Sequence, residues 1–126
     1  NLLDLTKQHF QSGHNPQAVS TKGAKGLMQL RAAAWSDVQA RVPDLKTFGY
    51  DDYWADEETN LRFGSEYLKI VQGYLPGQFR ESLPHVLATY NWGIGNMKKS
   101  GYDLRKAPKE TKDYIYRITG QQVNGG

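Results

Sequence analysis

At 126 residues, with 38% hydrophobic and 23% charged side chains, the chain is long enough for one small domain with a modest core and too apolar to be disordered. No run approaches the roughly 18 apolar residues of a membrane span, and the lack of cysteine removes disulfides and thiolate chemistry. A net charge of +3 suits a polyanionic partner, but the densest basic stretch, Lys98-Lys99 to Lys112, is broken by Asp103 and Glu110, which argues against a nucleic-acid footprint.

The chain opens at Asn1-Leu2-Leu3-Asp4 without a signal-peptide pattern and reads as a fragment or processed domain. Residues 2–11 read as a short helix with Leu3 and Phe10 on one side. Ser12-Gly13-His14-Asn15-Pro16 and Ser20 to Gly26 are turn-forming. Leu27 to Val42, rich in alanine and leucine, reads as a second helix, and Pro43 to Tyr53 as a further turn-forming segment. Leu61, Gly64, Leu68, Val71 and Leu75 recur at spacings of three and four, which predicts a helix from about Asp56 to Tyr74. Asp56, Glu57 and Glu58 favour its start, and Pro76-Gly77 ends it. Leu83, Val86, Leu87 and Tyr90 mark another helix that stops near Gly93 and Gly95. Pro108 suits the first turn of the last, with Tyr114, Ile115 and Ile118 inward. Alternating β-branched runs are missing. The expectation is one mainly α domain over residues 1–126, with long loops able to floor a cleft. His9, His14 and His85 lack metal-ligand spacing, so neither a metal nor a cofactor is expected.

Three Trp and eight Tyr are many for this length. Rings standing proud of a cleft stack on sugar faces, whereas rings inside fill core. Trp35, Trp54, Trp92 and Tyr102 lie beside polar or glycine residues and are the better candidates for exposure. Four segments then follow in order: Gln11-Ser12-Gly13-His14-Asn15-Pro16 with Ala18-Val19-Ser20; Gly23-Ala24-Lys25-Gly26-Leu27-Met28-Gln29-Leu30; Ala88-Thr89-Tyr90-Asn91-Trp92-Gly93; and Pro108-Lys109-Glu110-Thr111-Lys112-Asp113-Tyr114-Ile115. Asn60-Leu61, Gly64 and Tyr67-Leu68 add a helix between the second and third. Any one segment is weak; together, over roughly residues 5–118, they resemble the catalytic domain of the soluble lytic transglycosylases, a goose-lysozyme-like family.

The resemblance implies a lysozyme-like fold with a saccharide cleft, and a reaction on peptidoglycan or N-acetylglucosamine oligomers. In that family one glutamate protonates the bond between N-acetylmuramic acid and N-acetylglucosamine. The same carboxylate then takes the proton from the muramyl C6 hydroxyl, which attacks C1 and leaves a 1,6-anhydro end without consuming water. Position 11 is where that glutamate would stand, its pKa raised by apolar neighbours such as Met28. Gly23 and Gly26 permit the turn that carries Met28 and Gln29 toward the cleft, and the Gln29 amide can both donate and accept. Ser20 matches a serine near the scissile sugar. Tyr90 and Asn91 would end their helix pointing into the cleft. Glu110 matches a saccharide-contacting glutamate, and Tyr114, one turn on, would face the same way. His14, Arg31-Ala32 and Trp92 depart from the family pattern.

The largest departure is Gln11, which keeps the shape of glutamate but has no titratable proton and can serve neither half of the reaction. Ser12 and Asn15-Pro16 remain as the family has them. The pattern therefore reads as a glutamate-to-glutamine exchange that holds saccharide uncut in an otherwise intact site. Two alternatives stay open. One is a hydrolytic muramidase, with Asp51, Asp52 or Asp56 as an unassigned second carboxylate. The other is a natural non-catalytic wall-binding or structural domain of a phage particle or secretion machine. The expected setting is the periplasm or cell wall, or a phage virion or lysis protein acting there. There the chain would be a monomeric domain of a larger protein, without nucleic acid or stable membrane insertion.

Overall fold

The structure, a computed structural model, describes residues 15–123. The expected helix over residues 2–11, together with Gln11, lies outside the described residues. These divide between Tyr67 and Leu68 into two compact units. Helices are α1 (Ala32–Arg41), α2 (Tyr50–Tyr53), α3 (Glu57–Tyr74), α4 (Leu83–Trp92), α5 (Ile94–Lys99) and α6 (Lys109–Thr119), with single 3-10 turns at Pro43–Leu45, Gly77–Phe79 and Leu104–Lys106. Among the described residues no strand forms; Val19 with Lys25 and Lys25 with Leu30 make isolated antiparallel bridges. The mainly α expectation holds, and none of the described helices is long and apolar enough to cross a membrane.

In the first unit the helix expected from Leu27 begins only at Ala32. The reason is competition for the backbone. Lys25 and Leu30 exchange N–H···O bonds of 2.9 and 3.0 Å, Gln29 takes a left-handed φ of 51°, and the Met28 N–H donates to the side chain of Asn60 at 2.8 Å. Those groups are therefore not free to climb a helix. The segment Pro43 to Tyr53, expected as turns, also carries a 3-10 turn and the one-turn α2. Trp35, a candidate for exposure, is instead core: it is 1% exposed, stacks on Phe63 at 3.7 Å, and donates its indole N–H to the Phe48 carbonyl at 2.7 Å. Burial of both rings gives the stack its weight, since each removes a large apolar area from water.

The start of α3 follows the acidic cluster. Asp56 accepts from the Thr59 N–H at 3.0 Å and from the Thr59 hydroxyl at 2.6 Å, bonds that hold its carboxyl below the usual range. Asn60 lies four residues before Gly64, in phase with the apolar stripe, and is 1% exposed. A buried carboxamide is costly unless its bonds are made. Here Oδ1 accepts from Met28 N–H, while Nδ2 donates to the carbonyls of Lys25 at 3.1 Å and Trp54 at 2.9 Å. Gly26, at φ 82°, is left-handed and also leaves no room: a Cβ there would overlap the Asn60 amide and the Trp54 carbonyl. Gly64 is the second tight spot, since a Cβ would overlap the Met28 side chain.

In the second unit Leu68 and Val71 of α3 and Leu75 just after it are buried, as the periodicity predicts. The helix ends at Tyr74, where Arg80 donates its Nε to the Leu75 carbonyl at 2.9 Å. Ser82 caps α4, which stops at Gly93. Pro108 sits at the N-cap, one residue before the first helical position of α6. Tyr114, Ile115 and Ile118 are buried as expected, and α6 packs chiefly on α4.

Asn60→Ala should lower unfolding free energy by on the order of 3 kcal/mol, because it strands a buried N–H and two carbonyls at once. Gln39→Ala, which removes longer bonds of 3.1 to 3.4 Å to the carbonyls of Leu45, Lys46 and Phe48, should cost about 1 kcal/mol or less. Urea unfolding of the two variants checks the order; equal losses would contradict the role given to Asn60.

Candidate active site

The candidate residues of the first unit gather on the loop from Ala18 to Leu30. Ser20 makes a local turn: its Oγ accepts from the N–H groups of Lys22 at 3.2 Å and Ala24 at 3.0 Å, as serine does where the chain must reverse. Its backbone N–H donates to the Ala24 carbonyl at 2.8 Å. Gln29 is half-buried. Its Nε2 donates to the carbonyls of Gly26 at 2.8 Å and Ala18 at 3.2 Å. A carbonyl can only accept, so the nitrogen must face these two groups and both of its hydrogens are engaged. Expected to serve as donor and acceptor alike, this amide keeps only Oε1, an acceptor, for a ligand. Met28 is fully buried, beneath Gly64, and its surroundings are those of a packing residue that holds the loop down. Lys25 extends its ammonium over the rings of Tyr50 (5.5 Å) and Trp54 (5.2 Å). The Tyr50 hydroxyl donates to the Leu30 carbonyl at 2.8 Å, and burial, then nearby Asp51, raises its pKa.

The candidates of the second unit meet where the end of α4 lies beside the start of α6. Tyr90 and Asn91 are half-buried on the last turn of α4. Glu110, in the first turn of α6, is exposed, whereas Tyr114 one turn on is only 4% exposed. The two therefore differ in environment although they share a helix face. Burial pushes the Tyr114 phenol well above its usual range, with Arg117 partly opposing, so it stays protonated at neutral pH. Asn91 is tied to α6 by the Thr111 hydroxyl, which donates to Asn91 Oδ1 at 2.8 Å. Of the other rings expected at a surface, Trp54, Trp92 and Tyr102 are half-buried. Among the described residues no group of three His, Cys, Asp or Glu side chains could hold a metal ion.

Two residues were missed as functional supports. Asn60 holds the loop of Met28 and Gln29, and Thr111, 1% exposed, holds Asn91. Each carries the same signal, a polar side chain in phase with an apolar stripe: Asn60 with Gly64 and Leu68, and Thr111 with Tyr114, Ile115 and Ile118.

A cavity of about 350 Å³ opens elsewhere in the second unit, lined by Pro84, His85, Tyr102, Leu104, Arg105 and Val123 among others. None of the candidate site residues lines it. The His85 Nδ1 lies 2.6 Å from the Ser82 hydroxyl and its Nε2 lies 3.1 Å from the Tyr102 carbonyl. A carbonyl accepts only, which places the hydrogen on Nε2 and leaves Nδ1 to accept from serine. At the same cavity Asp103 is held down to about 2 by hydrogen bonds from Arg105.

With this geometry in view, the relationships of the chain are direct. A family model described as the transglycosylase SLT domain matches residues 10–113, and the chain belongs to that family. Similar curated proteins are the membrane-bound lytic murein transglycosylases F. That of Photobacterium profundum is 34% identical over 91 residues, 70% of this chain and 16% of that protein. The protein of Shewanella loihica is 32% identical over 109 residues, 81% of this chain and 19% of its own. That of Yersinia enterocolitica is 35% identical over 105 residues, 79% and 18% respectively. The chain thus spans less than a fifth of the length of these relatives. No solved structure matches it significantly.

Burial lowers the His85 pKa below its ordinary 6.5, and the bond to the Tyr102 carbonyl only partly offsets this. The unfolded chain then takes up a proton that the folded chain refuses. The His85 contribution to stability is complete above the ordinary value and declines as pH falls through it. A proton resonance titration of His85 should give a midpoint below 6.5, and urea midpoints should drop from pH 7.5 to pH 5 less in His85→Gln than in the parent. A His85 midpoint at or above the ordinary value would refute the assignment.

Proposed function

We propose that residues 1–126 act as one catalytic domain of a peptidoglycan lytic transglycosylase, and that with Gln11 in place the domain binds glycan strands without cutting them. The observation that carries the reading is the single family match over residues 10–113, which includes position 11 and every other candidate residue but one; Tyr114 follows it directly. The similar proteins are named murein transglycosylases, and murein is the polymer whose bond the resemblance implies. The fitting place of action is the bacterial envelope outside the inner membrane, whether the domain is part of an envelope enzyme or of a phage lysis protein.

The roles follow from what each described group has left to offer. Gln29 presents an acceptor through Oε1. Ser20 makes no donation to a described residue, so its hydroxyl hydrogen remains for a sugar oxygen. Tyr90 and Asn91 supply polar groups at the end of α4, and Glu110 an accessible carboxylate. Met28 and Tyr114 are packing residues, each buried within its own unit. Trp54 and Trp92 are the half-buried indoles suited to stacking on a pyranose face. A neutral amide at position 11 has no proton to give and no basic lone pair to receive one. The step that transfers hydrogen to the glycosidic oxygen and the step that removes it from the C6 hydroxyl are therefore both missing.

A hydrolytic route requires a second carboxylate to place water. Among its candidates Asp56 is committed to the start of α3 through Thr59, which leaves Asp51 and Asp52 as the carboxylates that route would need.

Gln11→Glu should convert a nearly inert protein into a wall-lysing one, with a rate gain of roughly 10²–10⁴-fold and little change in saccharide affinity, since both side chains hydrogen-bond a sugar oxygen. An acid donates only while protonated, so activity should fall as pH rises past the pKa of the new carboxyl. Clearing of purified peptidoglycan, with mass spectrometry of the products, checks all of this. Anhydro ends support the transglycosylase, and ends heavier by one water support a muramidase. A folded Gln11→Glu protein no faster than the parent would leave a binding module.

A further inference from the structure

The amide of Asn91 is half used, and the half in use decides what it can read. Its Oδ1 accepts the Thr111 hydroxyl hydrogen at 2.8 Å, while its Nδ2 makes no hydrogen bond to any described residue. Asn91 is half-buried on the last turn of α4; Thr111 is 1% exposed, in the first full turn of α6. A threonine hydroxyl has one hydrogen, and Thr111 directs it across the gap between the two helices rather than along its own. A free asparagine turns its carboxamide over easily, because oxygen and NH₂ are nearly the same size and only their partners distinguish them. At Asn91 a turned amide could still donate to the Thr111 oxygen, but the buried hydroxyl hydrogen would then lose its acceptor among the described residues, and that cost selects one orientation.

We propose that Thr111 is a positioning residue that fixes the Asn91 amide in one orientation, leaving the Asn91 NH₂ as the uncommitted donor that reads an acceptor oxygen of the saccharide, such as an N-acetyl carbonyl. The inference rests on the saccharide-binding reading of the domain. Its physical content is twofold. Locking the amide removes the rotational freedom that binding would otherwise have to freeze. It also gives the group a polarity: a ligand offering a hydrogen at that point meets an N–H and is rejected.

The protein as it stands, with Gln11, is suited to the test because it binds without turnover. Calorimetric titration with an N-acetylglucosamine hexamer is compared for the parent, Thr111→Val, Thr111→Ser, Asn91→Asp and the Thr111→Val/Asn91→Asp double variant, with thermal midpoints recorded for each. Valine has the shape of threonine without its hydroxyl, and the loss of one oriented hydrogen bond should weaken binding roughly three- to tenfold. Serine restores the hydroxyl and should bind within about twofold of the parent. Aspartate still accepts from Thr111 but puts an oxygen where the amino group was, and should weaken binding about tenfold or more. The double variant should bind no worse than Asn91→Asp, since the groups act through one contact. A purely structural Thr111 would instead give additive losses that follow the thermal midpoints. Parent-like affinity in Thr111→Val, parent-like affinity in Asn91→Asp, or additivity would each overturn the proposal while leaving saccharide binding intact. Should Thr111→Val unfold, Asn91→Asp and Thr111→Ser still decide it. A parent that binds no hexamer would overturn the function itself, and this inference with it.

Discussion

The described part of the first unit turns on one buried carboxamide. Asn60 sits where an apolar helix stripe should continue, and burying an amide there is unfavourable unless every bond is replaced. The bonds are replaced by one stretch of main chain: the Met28 N–H and the carbonyls of Lys25 and Trp54. These satisfy Asn60, and Asn60 in turn satisfies backbone that has left regular structure. Neither side of this exchange is stable without the other. The left-handed Gly26, the bridge between Lys25 and Leu30, and the space that Gly64 leaves for Met28 are the conditions under which the exchange can be made.

The amides proposed to meet a ligand are constrained in the same manner. Gln29 spends its nitrogen on two carbonyls, and Asn91 spends its oxygen on Thr111. Two amides that look equivalent in sequence are thereby left with different uncommitted ends, the oxygen at Gln29 and the NH₂ at Asn91. The backbone and a buried hydroxyl, rather than the amides themselves, determine which face each one shows. A sugar hydroxyl can meet either polarity, whereas the N–H of an N-acetyl group only donates and its carbonyl only accepts, so polarity fixed in advance sets which end of an N-acetyl group each amide can meet.

Reading the sequence succeeded where a single periodicity decides the outcome. The stripe from Gly64 to Leu75 and the inward set Tyr114, Ile115 and Ile118 follow from 3.6-residue spacing, and the stop before Pro76 follows from the breaker itself. It failed where distant groups compete for backbone. Leu27 to Arg31 has helical composition, but the partner that draws the Met28 N–H away is thirty-two residues along the chain. Trp35 is similar: its polar neighbours in sequence suggest a surface, while Phe63 and the Phe48 carbonyl decide otherwise. The family resemblance assigns the candidate side chains by motif. It could not indicate that Met28 and Tyr114 lie buried, or that Glu110 is accessible, because exposure depends on the faces brought together on folding.

The placement of the three indoles gives the molecule separate optical reporters. Trp35 is sealed against Phe63 with its N–H on a carbonyl, so its emission belongs at short wavelength and is insensitive to added quenchers until the first unit opens. Trp54, beneath the Lys25 ammonium, and Trp92, at the end of α4, are partly wet and emit further to the red. Iodide quenching and the red edge of the spectrum therefore follow events at the surface, while the blue edge follows the integrity of the core, and a single cuvette can distinguish occupancy from collapse.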